Sequence, residues 1–178
     1  MKPSKLLVVG GVAGGASCAA RARRLSEQAE IIVFERGPYV SFANCGLPYY
    51  VGEVIKKEED LLVASPELFK NRFNIDVRTN QNVRQVFPDH KEIEVQALTT
   101  GEIYRETYDA LVLSPGSEPV KPALEGVDLP GIFTLWTIPD SREIIRWIKS
   151  RPVRRAVEAV IPPGTQATSP VEKATTHF

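Results

Sequence analysis

Cys45 is the side chain whose chemistry stands out, set in Ser41-Phe42-Ala43-Asn44-Cys45-Gly46-Leu47-Pro48-Tyr49-Tyr50. Gly46-Leu47-Pro48 can open a short helix. A thiol at a helix N-terminus has its thiolate stabilised by the dipole and by free N–H groups, which makes it nucleophilic at neutral pH. No second cysteine lies within five residues, so an internal C-x-x-C dithiol is excluded. Its redox partner would be a substrate thiol, or an oxygen atom carried as sulfenic acid. On spacing alone, the commoner fate of a free cysteine is to be buried and inert. Cys18, among Ala16, Ala19 and Ala20, reads as a small core residue.

The second candidate is the turn Gly10-Gly11-Val12-Ala13-Gly14-Gly15. A glycine-rich turn between strand and helix places bare N–H groups and the positive helix end where a pyrophosphate can sit. Glu35 closes the next strand, twenty residues after Gly15, where a carboxylate can accept both hydroxyls of an adenosine ribose. Such an acid favours FAD or NAD and repels a 2′-phosphate. Against G-x-G-x-x-G, Val12 occupies the central glycine's place, where a Cβ pushes the phosphate outward unless the loop shifts. A turn that only packs helix on strand is the plainer alternative. Strand, turn, helix, second strand and terminal acid all fall in place, which favours the dinucleotide.

The elements that must position these residues follow from the apolar pattern. Leu6 to Val9 and Ile31 to Phe34 are continuous apolar runs of the kind found in parallel strands covered on both faces. Ala16 to Gln28 between them has no Gly or Pro and predicts a helix, giving a βαβ unit. Pro66 to Phe73 reads as a short helix with Ser65 as its N-cap. From Asp76 the period turns toward two. Strands are expected at 76–79, 83–87, 92–96 and 103–108, the last two flanking a hairpin at Thr99-Thr100-Gly101. Ala110 to Leu113 is expected as another buried strand, stopped by Ser114-Pro115-Gly116. A proline-rich crossing leads to Ile132-Phe133-Thr134-Leu135. A helix over 140–149 follows, with Asp140 or Ser141 as cap and Ile144, Ile145 and Ile148 on its apolar side.

Composition removes several classes of function. The chain has 178 residues, enough for one domain with a real core. With 43% apolar and 25% charged residues it is globular in profile, not a disordered tail. Twenty-two basic residues balance twenty-two acidic ones, so a nucleic-acid partner is not expected. No apolar run approaches the roughly 20 residues needed to cross a bilayer, and four apolar residues before Gly10 are too few for a signal-peptide core. Two cysteines make no disulfide scaffold, which points to a cytoplasmic protein.

The segment Ser41 to Tyr50 closely resembles the active-site segment of coenzyme A-disulfide reductases. These form the single-cysteine branch of the flavin-dependent pyridine nucleotide-disulfide oxidoreductases, with NADH oxidases, NADH peroxidases and persulfide reductases. Val8 to Ala16 is similar to the same family's FAD loop, including the Val in place of the middle glycine. Leu111 to Ser117 resembles its second flavin-side turn. The resemblance covers residues 5 to about 150. It implies an α/β, Rossmann-like FAD/NAD(P)-binding three-layer fold with a small antiparallel β-meander, with residues 1–150 as the FAD-binding domain. FAD would be held by Gly10, Gly11, Val12, Ala13, Gly14, Gly15, Glu35, Val83, Ser114 and Gly116. NAD(P)H would be the co-substrate and Cys45 the redox-active nucleophile.

The resemblance further implies that Ser17, Arg21, Arg24, Ser41 and Asn44 line a site for coenzyme A disulfide or persulfide. Positions 17, 21 and 24 are spaced i, i+4, i+7 and share one helix face. Two guanidiniums there suit a ligand with several phosphates, although a solvated basic face is common on any helix. The family alternative is a NADH oxidase or peroxidase cycling Cys45 through sulfenic acid. A different alternative is a non-catalytic remnant that keeps the fold.

The chain departs from the family after about residue 150. Arg154 to Val157 resembles the approach to a second nucleotide-binding strand, and Ala156 to Ile161 suits a strand onset, but Pro162-Pro163 follows without a glycine loop. The polar, aperiodic end, 165–178, is expected to be disordered, and 151–178 reads as a divergent, truncated or frame-shifted tail. On this reading the chain lacks the nicotinamide site, the second half of the FAD pocket and the family's homodimer surface.

Overall fold

A computed structural model describes residues 4–157. In chain order the elements are β1 (Lys5–Val9), α1 (Gly14–Leu25), β2 (Glu30–Phe34), α2 (Leu47–Val51), α3 (Pro66–Phe73), β3 (Asp76–Arg78), β4 (Gln81–Phe87), β5 (Glu92–Ala97), β6 (Ile103–Thr107), β7 (Ala110–Leu113) and α4 (Ile138–Lys149). They fall into two compact units: residues 4–43 with 56–117, and residues 44–55 with 118–157.

The first unit has three layers. Its parallel sheet runs in the order β3-β2-β1-β7, with Leu7 level with Ile32 on one side and Leu111 on the other. One face buries Val8, Ile31 and Val33 against Ala16 and Ala19 of α1 and Phe69 of α3. The opposite face buries Leu7, Ile32 and Phe34 against Ile93 and Val95 of the antiparallel meander β4-β5-β6. Side chains alternate between faces along a strand, so a strand covered on both sides must be apolar throughout. This is the expected α/β, Rossmann-like architecture with its antiparallel meander.

Boundaries differ where tertiary contacts decide them. α1 starts two residues before the predicted Ala16 and ends at Leu25, because Ser26 has an extended backbone and its N–H closes onto the Ala22 carbonyl. β7, expected to be buried, is hydrogen-bonded to β1 alone among the described residues, and Leu113 is 60% exposed. Pattern reveals an apolar strand but not its neighbour. The Ser65 cap of α3 is present, its Oγ accepting the Leu68 N–H at 3.2 Å.

In the second unit, Asn44–Gly46 forms a 3₁₀ turn that runs into α2, which packs on α4. α4 begins earlier than expected. Its cap is Thr137, and Asp140 is the third helical residue of a reciprocal capping box. Ser141 is instead fully buried, with its hydroxyl donating to the Ile138 carbonyl. Ile144 and Ile145 are half-buried, whereas Ile148 is exposed. Trp147 meets Phe133 edge-on at 5.6 Å. Residues 132–135 and 151–157 form neither helix nor strand. Most of the expected strand onset at 156–161, and all of 165–178, lie outside the described residues.

Candidate functional site

The glycine turn is built by close backbone crossings. Gly10 has φ +92°, a conformation that L side chains rarely adopt, and its N–H donates to the Phe34 carbonyl at 2.8 Å. A Cβ on Gly10 would overlap the Ser114 carbonyl oxygen, and one on Gly15 would overlap the Gly10 carbonyl oxygen. On Gly14 it would come within 2.6 Å of Ser114 Oγ. The strand β1, the start of α1 and the residue after β7 therefore meet at a spacing that only bare backbone permits. Ser114 is fixed there by its own N–H, which donates to the Val9 carbonyl at 2.8 Å.

Glu35 completes this arrangement. One carboxylate oxygen accepts the Gly11 N–H at 2.7 Å, and the other accepts the Gly37 N–H at 2.7 Å. A carboxylate offers about four acceptor positions, so roughly two stay open for hydroxyl donors. Ala13, the N-cap of α1, makes no side-chain cap, and the first turn holds no acidic residue. No acidic side chain of the first turn and no side-chain cap offsets the positive end of this twelve-residue helix, so it can receive an anion. Val12 is half-buried and Ala13 exposed, and both contribute main chain to this end. A nucleotide cofactor carrying a pyrophosphate and a ribose fits the turn and the acid together.

Ser41 joins the same unit. Its N–H donates to the Gly11 carbonyl at 3.0 Å, and its own carbonyl accepts from Val63 at 2.9 Å. It sits at φ +48°, unusual for a residue with a side chain. Gly116 has φ +74° with open space around it, so its need for glycine is conformational alone. Val83 is turned elsewhere. It pairs with Val95, packs into the layer between the sheets and precedes a β-bulge at Arg84, leaving only main chain there for a ligand.

On α1, Ser17, Arg21 and Arg24 are all exposed and share the outer face that their spacing predicts. Cys18 is half-buried, not a core residue, because the inner stripe of α1 is Gly15, Ala16, Ala19 and Arg23. Arg23 escaped the sequence reading altogether, although its spacing from Ala16 and Ala19 places it on that stripe. In the second unit, Cys45 is exposed on the 3₁₀ turn and Asn44 is half-buried, while Gly46 and Leu47 behind them are buried. Cys45 is thus exposed to solvent on a turn anchored by its buried neighbours, and not buried.

The pyridine nucleotide-disulphide oxidoreductase pattern matches residues 4–160. The chain belongs to that family. A coenzyme A disulfide reductase of Staphylococcus aureus is 39% identical over 153 residues, covering 86% of this chain and 34% of the relative. The structure of reduced Bacillus anthracis CoADR-RHD superposes with TM-score 0.80 at 49% identity, over 84% of this chain and 27% of that one. A NAD-dependent persulfide reductase from A. fulgidus superposes with TM-score 0.78 at 34% identity, over 82% and 27%. The chain spans about a third of the length of the curated relatives it matches. Among the described residues, no helix is long and apolar enough to cross a membrane.

In this oxidoreductase fold an ionic network secures the sheet that carries the turn. Glu106 on β6 receives hydrogen bonds from Lys5 of β1 and from Arg78 of β3, the latter at 2.9 Å, and Arg78 also reaches Asp76 at 2.8 Å. Burial opposes the charge of all three central groups, but the mutual hydrogen bonds outweigh it. The Lys5 ammonium and the Arg78 guanidinium are therefore held above their usual values, and the Glu106 carboxyl below its own.

Proposed function

We propose that this chain forms the FAD-binding and thiol-bearing portion of a coenzyme A-disulfide reductase. The supporting observation is the exposed Cys45 within Ser41 to Tyr50, in a chain 39% identical to a coenzyme A disulfide reductase. The turn Gly10 to Gly15 would receive the FAD pyrophosphate on the N-terminus of α1, and Glu35 the adenosine ribose, with Ser114 and Gly116 beside them and Val83 contributing main chain. Ser17, Arg21, Arg24, Ser41 and Asn44 would hold coenzyme A, the two guanidiniums meeting its phosphates.

The chemistry assigned to Cys45 is thiol–disulfide exchange. Its thiolate attacks one sulfur of coenzyme A disulfide, the substrate S–S bond breaks, a Cys45–S–S–CoA bond forms, and one coenzyme A thiolate departs. FAD held by Gly10 to Gly15 and Glu35 would, once reduced, supply the electron pair that, with one proton, returns this mixed disulfide to the Cys45 thiolate and a second coenzyme A thiol.

The test is made on purified protein. A flavin absorbance band, with coenzyme A thiol released on chemical reduction of the bound flavin and this release lost in Cys45→Ser while flavin uptake survives, is the expected result. Unchanged turnover in C45S overturns the assigned nucleophile. NADH oxidation by oxygen without thiol release would favour the sulfenic-acid cycle. Flavin uptake whose chemical reduction releases no coenzyme A thiol leaves a non-catalytic nucleotide-binding chain.

A further inference from the structure

Arg23 lies on the inner face of α1, only 9% exposed. All five of its N–H groups go to main-chain carbonyls. Nε donates to Phe73 at 2.7 Å, Nη1 to Ser26 at 3.0 Å and Glu27 at 2.6 Å, and Nη2 to Ala29 at 2.7 Å and Asn74 at 2.9 Å. These carbonyls belong to three segments: the turn that ends α1, the approach to β2, and the C-terminal end of α3. Asn74, the C-cap of α3, is itself left-handed at φ +48°. The guanidinium thus sits where two helices end and their carbonyls leave partial negative charge, which offsets the cost of burying a cation.

A guanidinium whose every donor is spent has none left for a ligand. Arg23 is therefore no binding residue, although its neighbours Arg21 and Arg24 point to solvent. Its effect on them is mechanical. The N-terminal end of α1 is held by the glycine crossings at Gly10, Gly14 and Gly15. The C-terminal end is held by Arg23. Loosening the second anchor displaces the turns that carry Arg21 and Arg24 while the first anchor keeps the glycine turn in place.

We infer that Arg23 is the positioning residue for the Ser17-Arg21-Arg24 face, fixing where its two guanidiniums meet a multiply phosphorylated thiol substrate. The inference rests on the coenzyme A reading of that face. A lysine ammonium brings three donors to five carbonyls, so Arg23→Lys keeps the charge but leaves at least two of them unpaired and opens the clamp.

The test titrates the full chain separately with FAD and with coenzyme A disulfide, below the unfolding midpoint followed by circular dichroism. R23K should weaken coenzyme A disulfide binding about tenfold, the scale of one lost hydrogen bond to a charged group, and leave FAD affinity within about twofold. Equal losses for both ligands, or a lowered midpoint with both affinities intact, overturn the inference in favour of a purely structural role. R23Q makes the same comparison if R23K does not fold. Wild-type protein that takes up FAD but not coenzyme A disulfide sinks the substrate reading, and the inference with it. Wild-type binding that R23K leaves unchanged sinks the inference alone.

Discussion

Glu35 accepts the Gly11 N–H at 2.7 Å across 24 residues of chain, tying the end of β2 to the turn that follows β1. The acid therefore builds the turn before it meets any ligand. Glutamine at this position keeps one acceptor oxygen but turns an amide donor toward the N–H of Gly11 or Gly37. Glu35→Gln should cost about 1–3 kcal/mol of stability, read from urea unfolding. Flavin retention should fall further than stability does. Retention equal to wild type at the same folded fraction would assign Glu35 to the scaffold alone.

The parts of the fold legible in the sequence are those whose signal is local. The runs Leu6 to Val9 and Ile31 to Phe34, the glycines between them and Glu35 specify a βαβ unit because each obeys a nearby backbone constraint. The exposure of β7 is not legible, since its pattern is that of a covered strand, yet among the described residues β1 alone is hydrogen-bonded to it. Arg23 reads as a surface charge because its acceptors are main-chain carbonyls, which leave no mark in sequence. The expected cap of α4, Asp140 or Ser141, is misplaced, although Thr137 stands three residues before Asp140, the spacing of a capping box. For the candidate site, one pattern set Ser17, Arg21 and Arg24 on one exposed face, but nothing local told that Val83 would turn its side chain into the core.

The crossings at the glycine turn predict a steep difference between two glycines of similar φ. At Gly10 an added Cβ collides with the main chain at Ser114, whereas at Gly116 it meets nothing within 4 Å. Gly116→Ala should cost only the left-handed penalty of about 1–2 kcal/mol. Gly10→Ala adds a backbone collision to that penalty, so the two strands must part. It should yield protein that is unfolded or has lost several kcal/mol more than G116A, measured by the same urea titration. Equal midpoints for the two variants would contradict the crossing.

The capping box of α4 makes a smaller, separable prediction. Thr137 Oγ1 accepts the Asp140 N–H at 3.3 Å, and the Asp140 carboxylate accepts the Thr137 N–H at 2.7 Å. Thr137→Ala should lower stability by about 1 kcal/mol, and Thr137→Ser should restore most of it. Thermal unfolding of the three proteins decides this. A T137S variant as weak as T137A would show that the threonine methyl group, not its hydroxyl, holds the helix.

The network at Glu106 predicts how the fold responds to acid. The Glu106 side chain is 18% exposed and Lys5 15%, so water screens their contact only partly. Burial alone would raise the Glu106 carboxyl, but hydrogen bonds from Lys5 and Arg78 outweigh it and hold the carboxyl below the usual range. The unfolded chain then binds the extra proton more readily than the folded one. The contribution of Glu106 is full above its unfolded value of about 4.3 and is lost as pH falls through the lower folded value. Lys5 and Arg78 stay protonated throughout that window, so they do not cancel the change. Glu106→Gln removes the proton uptake and leaves two partly buried cations short of a counter-charge, which should cost about 1–2 kcal/mol at pH 7. Urea midpoints measured from pH 7 to pH 3 should therefore converge: wild type falls steeply below about pH 4.5, whereas E106Q starts lower and falls less. Parallel curves across that range would mean that the carboxylate contributes nothing beyond its packing.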